Sequence, residues 1–149
     1  MKQNRYIYFT VCIIVLMIGF AACKGFSDEK DRNMKDLDDN MIDLRMYHEN
    51  LGDAIVSRNQ DVALWLEGGM DSVLRVVADK FDTHRKLNRP FREAYRRDLR
   101  PPINALHNAL LEPDWEEARS AYTILTKQCN SCHRDREVDK TVQNWLERN

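Results

Sequence analysis

The stretch Asp114–His133, DWEEARSAYTILTKQCNSCH, governs how the rest of the chain is read. Asp114, after Pro113, is a natural helix N-cap, and Glu117 stands at the reciprocal position of a capping box. Trp115, Ala118, Tyr122, Leu125, Cys129 and Cys132 then recur at spacings of three and four, so both cysteines continue the core-facing seam of one long amphipathic helix. The last five residues, Cys129-Asn130-Ser131-Cys132-His133, form C-x-x-C-H, the pattern of covalent haem attachment. The spacing suits that chemistry. Two thiols three apart lie on one helical face, where each can form a thioether with a vinyl group at the porphyrin edge. The imidazole that follows can turn over the ring and bind iron. A thioredoxin-like dithiol needs a preceding strand, and a structural zinc site needs a second ligand pair. No strand pattern precedes Cys129, and Cys23 and His107 are poor zinc partners.

Working back along the chain, Met34, Leu37, Met41, Leu44, His48, Leu51 and Ile55 predict a first helix from about Met34 to Ile55, ended by Gly52 and Ser57-Arg58-Asn59. Asp61 is the expected cap of a second, with Val62, Leu66, Met70, Val73, Val77 and Phe81 on one face. Gly68-Gly69 in its middle costs about 1 kcal/mol per glycine against alanine, which implies a bend or the close approach of something large: packing by default, a haem edge as the alternative. A polar link, Thr83 to Arg89, leads to a third helix starting at Pro90, lined by Phe91, Tyr95, Leu99, Pro102, Leu106 and Leu110. Pro101-Pro102 should kink or interrupt it. After the motif, Val138 to Asn149 predicts a short helix folding back on Val142, Trp145 and Leu146.

These stretches predict an all-α fold, an antiparallel up-down-up-down four-helix bundle. Composition agrees, since only 5 glycines and 4 prolines in 149 residues, with 32% charged residues, favour helix over sheet. The length suits one domain. A net charge of −1 with no basic patch excludes nucleic acid as an expected partner.

The N-terminus reads as an export leader. Lys2 and Arg5 precede an apolar run, Tyr6 to Ala22, closed by Phe20-Ala21-Ala22-Cys23. This resembles a bacterial lipoprotein signal, with Phe20 where Leu is usual, and implies lipidation of Cys23. Residues 1–22 are then the signal peptide, 23–33 a flexible tether and 34–149 the folded domain. Cleavage to a soluble protein and retention as a membrane-spanning anchor are the rival outcomes, since about 17–25 apolar residues suffice for a span. All three put the domain outside the cytoplasm, where haem attachment to C-x-x-C-H in bacteria also occurs. The lipoprotein reading expects the periplasmic side of a bacterial membrane, with Lys24 mildly favouring the outer membrane.

C-x-x-C-H late in the last of four helices resembles the cytochrome c-prime family of four-helix-bundle haem proteins. Asp36-Leu37-Asp38-Asp39-Asn40-Met41 is similar to the start of the soluble b-type cytochromes of the same fold. The resemblance covers about Met34 to Glu137. It implies that Cys129 and Cys132 are the thioether pair of one haem c, that His133 is the proximal iron ligand, and that Met41 is the second. Met/His ligation raises a haem potential, and Met41 lies on the seam at the end of the bundle expected to face His133; a methionine there is otherwise core packing. His48, two turns further along, should pass below the iron as a satisfied or partly exposed histidine. His107 is expected at the surface or boundary, and His84 lies in the polar link. Arg45, Arg134 and Arg136 could pair with propionates or be ordinary surface charges.

The expected function is single-electron transfer by a membrane-tethered cytochrome, with redox proteins of a respiratory or other electron-transfer chain as partners and a homodimer as one possible assembly. No acid–base pair or nucleophile constellation near the ligands suggests an enzyme. The alternatives are a five-coordinate haem protein binding nitric oxide or carbon monoxide, and a haem-free interaction lipoprotein.

Overall fold

The computed structural model describes residues 37–81 and 90–147. The leader, Cys23, the tether, Met34 and the polar link with His84 lie outside the described residues.

Helix α1 occupies 37–56. Arg58 takes the left-handed region, φ 56°, and the Asn59 N–H bonds back to the Ala54 carbonyl at 2.9 Å. Asn59 Oδ1 then accepts the Val62 N–H at 3.3 Å. Asn59, rather than Asp61, is therefore the cap of α2 (Gln60–Lys80), and one three-residue link both closes α1 and starts α2. Asp61 falls in the first turn, where its charge faces the positive end of the helix dipole.

Along α2, Leu66, Met70, Val77 and Phe81 are buried as expected. Val62 is instead 43% exposed, and Ala63 and Leu74 join the buried face. The helix runs through Gly68-Gly69 unbroken. The Tyr47 ring of α1 lies on the Gly69 backbone, where a Cβ would collide with it, while Gly68 faces open space. Close packing thus accounts for Gly69.

The third rod consists of α3 (Phe91–Ala94), a π-helical turn (Tyr95–Leu99) and α4 (Arg100–Leu111), with Pro90 as the cap. The expected interruption takes the form of that wide turn. Pro101 and Pro102 cannot donate to the preceding turn, and their rings need room beside its carbonyls. The Arg100 N–H reaches back five residues to Tyr95 O, so the chain widens just ahead of the prolines. Phe91, Tyr95, Leu99, Pro102, Leu106 and Leu110 are all buried, as their spacing predicts.

Helix α5 (Trp115–Asp135) begins where expected, with the Asp114 carboxylate accepting the Glu117 N–H at 3.0 Å. Beyond it the tail forms an extended strap with only a single 3-10 turn, Trp145–Glu147, in place of the expected helix. Its backbone is satisfied partly by α5 side chains, which removes the need for an internal helical ladder.

Neighbouring helices are antiparallel. Gln60 bonds to Leu110 O, Glu67 meets His107 and Asp71 meets Tyr95, so α2 runs against the third rod. Three-residue links join α1 to α2 and α4 to α5. His48 meets Thr126 and Tyr122, while Gly52 lies against Tyr122, so α1 runs against α5. The fold is an all-helical bundle of four rods around one core. Among the described residues there is no strand, and no helix is long and apolar enough to cross a membrane.

Candidate functional site

The bonds between α1 and α5 fix the level of the motif. His48 Nε2 lies 2.9 Å from Thr126 Oγ1, and the Tyr122 hydroxyl lies 3.1 Å from His48 Nδ1 and donates to His48 O at 3.0 Å. Two helical turns from these residues, on the same faces, come Met41 on α1 and Cys129 and His133 on α5. Met41 and Cys129 are both half-buried and pack against the same core cluster. The antiparallel register thus brings the predicted sulfur of α1 to the end of the bundle that carries the C-x-x-C-H. Cys23 lies outside the described residues.

Cys129 and Cys132 are free thiols. Burial pushes the Cys129 thiol up to about 12; it is a protonated thiol at neutral pH. Arg136, itself buried, donates from Nε to Cys132 Sγ at 3.4 Å. Arg45 is exposed and paired with Glu49 at 2.7 Å.

His133 sits in the last turn of α5, and the chain reverses immediately after it. Val138 N–H bonds to His133 O at 3.0 Å and Glu137 N–H to Arg134 O at 3.1 Å, with Glu137 in the left-handed region at φ 54°. This is a Schellman closure with glutamate where glycine is usual. The reversal carries the strap back beside α5, so that Lys140 O lies 2.8 Å from His133 Nδ1. A carbonyl can only accept, so Nδ1 carries a hydrogen, and in the neutral ring the lone pair is then on Nε2. The motif thereby presents two thiols on one helical face and an imidazole whose Nε2 is free to bind a metal. That donor set fits a covalently bound haem.

His48 is 4% exposed and hydrogen-bonded at both ring nitrogens. Burial pulls it down to about 4, against the opposing pull of the Glu49 carboxylate. It is a satisfied core histidine. Tyr122, stacked on it at 4.5 Å between ring centres, is raised by burial.

A polar layer between α2 and the third rod is not among the expectations drawn from the sequence. Glu67 and Asp71 are both buried. Half-exposed His107 lies 2.9 Å from Glu67 Oε2, while Tyr95 donates its hydroxyl proton to Asp71 at 2.6 Å and Arg75 Nε donates to Asp71 at 2.8 Å. Burial raises Glu67, with the His107 hydrogen bond opposing it. Tyr95 opens the π-helical turn, so the widened backbone and the buried acid meet at one point. Acid residues at helical spacing in α2 with Tyr95 and His107 opposite were the only available signal, and acids on a helix ordinarily read as solvated.

A surface groove of about 440 Å³ runs between α5, from Glu116 to Lys127, and the strap at Asn144, Leu146 and Glu147; it includes none of the motif residues. Among the described residues no group of three or more His, Cys, Asp or Glu side chains could hold a metal ion. Haem iron asks less of a protein, one or two axial donors. Comparison with family models, with curated proteins and with solved structures finds no match to this chain.

Proposed function

We propose that the chain is a c-type cytochrome carrying one haem. Cys129 and Cys132 would hold it through thioether bonds, the S–H of each thiol adding across one vinyl double bond. His133 Nε2 and the Met41 sulfur would be the two protein donors to its iron. The observation that carries this reading is the hydrogen bond from His133 Nδ1–H to the Lys140 carbonyl, directly beside two thiols on the same helical face. It selects the tautomer a ligand needs and raises the basicity of Nε2. A haem so bound supplies a one-electron ferric–ferrous couple.

The chain's own residues do the rest. The bundle holds His133 and Met41 on two antiparallel helices, a fixed frame that limits reorganisation when the charge changes. Arg136 Nε donates to the Cys132 sulfur, so it would stand beside the thioether at that position. With Cys23 lipidated, the domain would sit at the periplasmic face of a bacterial membrane, the outer membrane being somewhat favoured, and pass electrons between redox proteins of that compartment.

The test is the visible spectrum of the full chain expressed with haem c maturation machinery. Sharp reduced α and β bands, a far-red methionine–iron band and loss of low-spin character in Met41→Ala are expected. A high-spin wild type that binds carbon monoxide readily would replace electron transfer with gas binding at a five-coordinate iron. Colourless protein with both Cys129 and Cys132 open to alkylation would overturn the haem reading and leave a helical interaction lipoprotein.

A further inference from the structure

Asn130 lies inside the motif, at a position where C-x-x-C-H chemistry asks for nothing. Here it is occupied. Its Nδ2 donates to Val142 O at 2.8 Å and its Oδ1 accepts the Val142 N–H at 2.7 Å. The two bonds form a closed ring between one side-chain amide and one backbone residue of the strap. Both fail if the amide is flipped, so its orientation is fixed by its partners. Two residues earlier on the strap is Lys140, whose carbonyl lies 2.8 Å from His133 Nδ1.

The strap is tied along its length. The Schellman closure at Glu137 starts it, the Asn130–Val142 ring holds its middle, and buried Leu146 with Trp145 against Gly52 anchors its end. Asn144 Nδ2 also reaches Thr123 Oγ1 of α5 at 3.4 Å. The Asn130–Val142 ring is the tie to an α5 side chain that stands nearest the Lys140 carbonyl, two residues away. The stretch from Asp139 to Gln143 has no helical ladder of its own, and Lys140 donates its N–H to Val138 O at 2.8 Å.

We propose that Asn130 is a positioning residue for the proximal imidazole: it clamps the strap so that the Lys140 carbonyl accepts the hydrogen bond from His133 Nδ1–H. The consequence for iron rests on the haem reading above, but the effect on the imidazole does not. A carbonyl acceptor at Nδ1 pushes electron density onto Nε2 and favours the oxidised metal. Asn130 therefore lowers the potential of the site through a backbone atom it does not itself touch, and Nε2 is presented before any ligand arrives.

Two variants separate positioning from folding. Asn130→Ala removes both bonds from the helix side. Val142→Pro deletes one N–H from the strap side and leaves every α5 residue in place. In ¹⁵N-labelled full chain made without haem, at fixed neutral pH, the wild-type His133 ring should show a protonated Nδ1 and a pyridine-like Nε2. Both variants should move toward the Nε2–H form that free histidine prefers. In haem-loaded protein, both should show a raised reduction potential and faster exchange of the Nδ1 proton. Wild type already in the Nε2–H form, or variants with an unchanged tautomer and potential, would overturn the proposal. Failure of every version to attach haem would sink the haem reading instead and leave the ring-nitrogen signals to decide this one.

Discussion

The α1–α5 pair divides into two unlike halves. In the half nearer the short links, His48, Leu51 and Ile55 face Ala118, Ala121, Tyr122 and Leu125, all at most 4% exposed. Two turns away, Leu37, Met41 and Leu44 share a level with Cys129, Cys132 and His133, and every one of these is only half-buried. The same seam, with the same heptad spacing, is a closed core at one end and a half-buried set of candidate donors at the other. The tightest packing and the candidate site thus lie on different stretches of the same two helices. The closed half fixes the register, and the register decides what the open half brings together.

The sharpest way to break that division is to truncate one apolar side chain in each half. Leu51→Ala empties a fully buried site and should cost about 2–5 kcal/mol. Met41→Ala, at a half-buried site, should cost less than about 2 kcal/mol of the same unfolding free energy. Urea titrations of the two variants read the difference directly. Equal costs would mean that the open half is as tightly packed as the closed one and that the contrast in exposure carries no energetic weight.

His48 sharpens the comparison through pH. Its pKa is near 4 in the folded chain against 6.5 when exposed, so between those values the unfolded chain binds the extra proton. Its contribution is complete above pH 6.5 and is lost as the pH falls toward 4. The span is worth about 3 kcal/mol at most. Glu67 opposes this, since a carboxyl raised by burial favours the folded state at low pH. Subtracting the profile of His48→Gln from that of wild type cancels Glu67 and the surface carboxylates. The difference should rise from pH 4 to 6.5 and then flatten; a flat difference would show that the ring is solvated and the closed half is not closed.

The legible parts of the sequence were those governed by local spacing. The α5 stripe, the Asp114 cap and the face from Phe91 to Leu110 follow from 3.6-residue periodicity and turn chemistry alone. Pro101-Pro102 announced a disturbance but not its form, because a π turn depends on what the widened backbone meets, here Tyr95 reaching Asp71. The α2 face is turned away from Val62, since Glu67 and Asp71 are buried against partners on another helix that no local pattern reveals. The imidazole contact was hidden for a similar reason. It needs a glutamate in the left-handed region at 137 and a side-chain amide gripping backbone twelve residues on. The motif names its candidate donors; only the folded strap shows how one of them is aimed.

The glycines give the smallest and most local test of the two halves. Gly52 lies in the closed half, where an added Cβ would meet Trp145 Cβ at 2.5 Å and the Tyr122 hydroxyl at 2.8 Å. Neither can yield freely: Tyr122 is fully buried and bonded to His48, and the Trp145 Cβ moves only with the strap backbone. Gly52→Ala should therefore cost about 1–3 kcal/mol through overpacking, even though alanine is the better helix former. Gly68, mid-helix in α2 with nothing within 4 Å of the added carbon, has only the propensity term. Gly68→Ala should stabilise by about 0.5–1 kcal/mol. The Gly52 variant has a second consequence that the Gly68 variant lacks. It pushes on Trp145 at the far tie of the strap, so the His133 ring-nitrogen signals should shift in Gly52→Ala and stay fixed in Gly68→Ala. If Gly52→Ala instead leaves both stability and those signals unchanged, the strap is not seated on the closed half, and the imidazole is held by Asn130 alone.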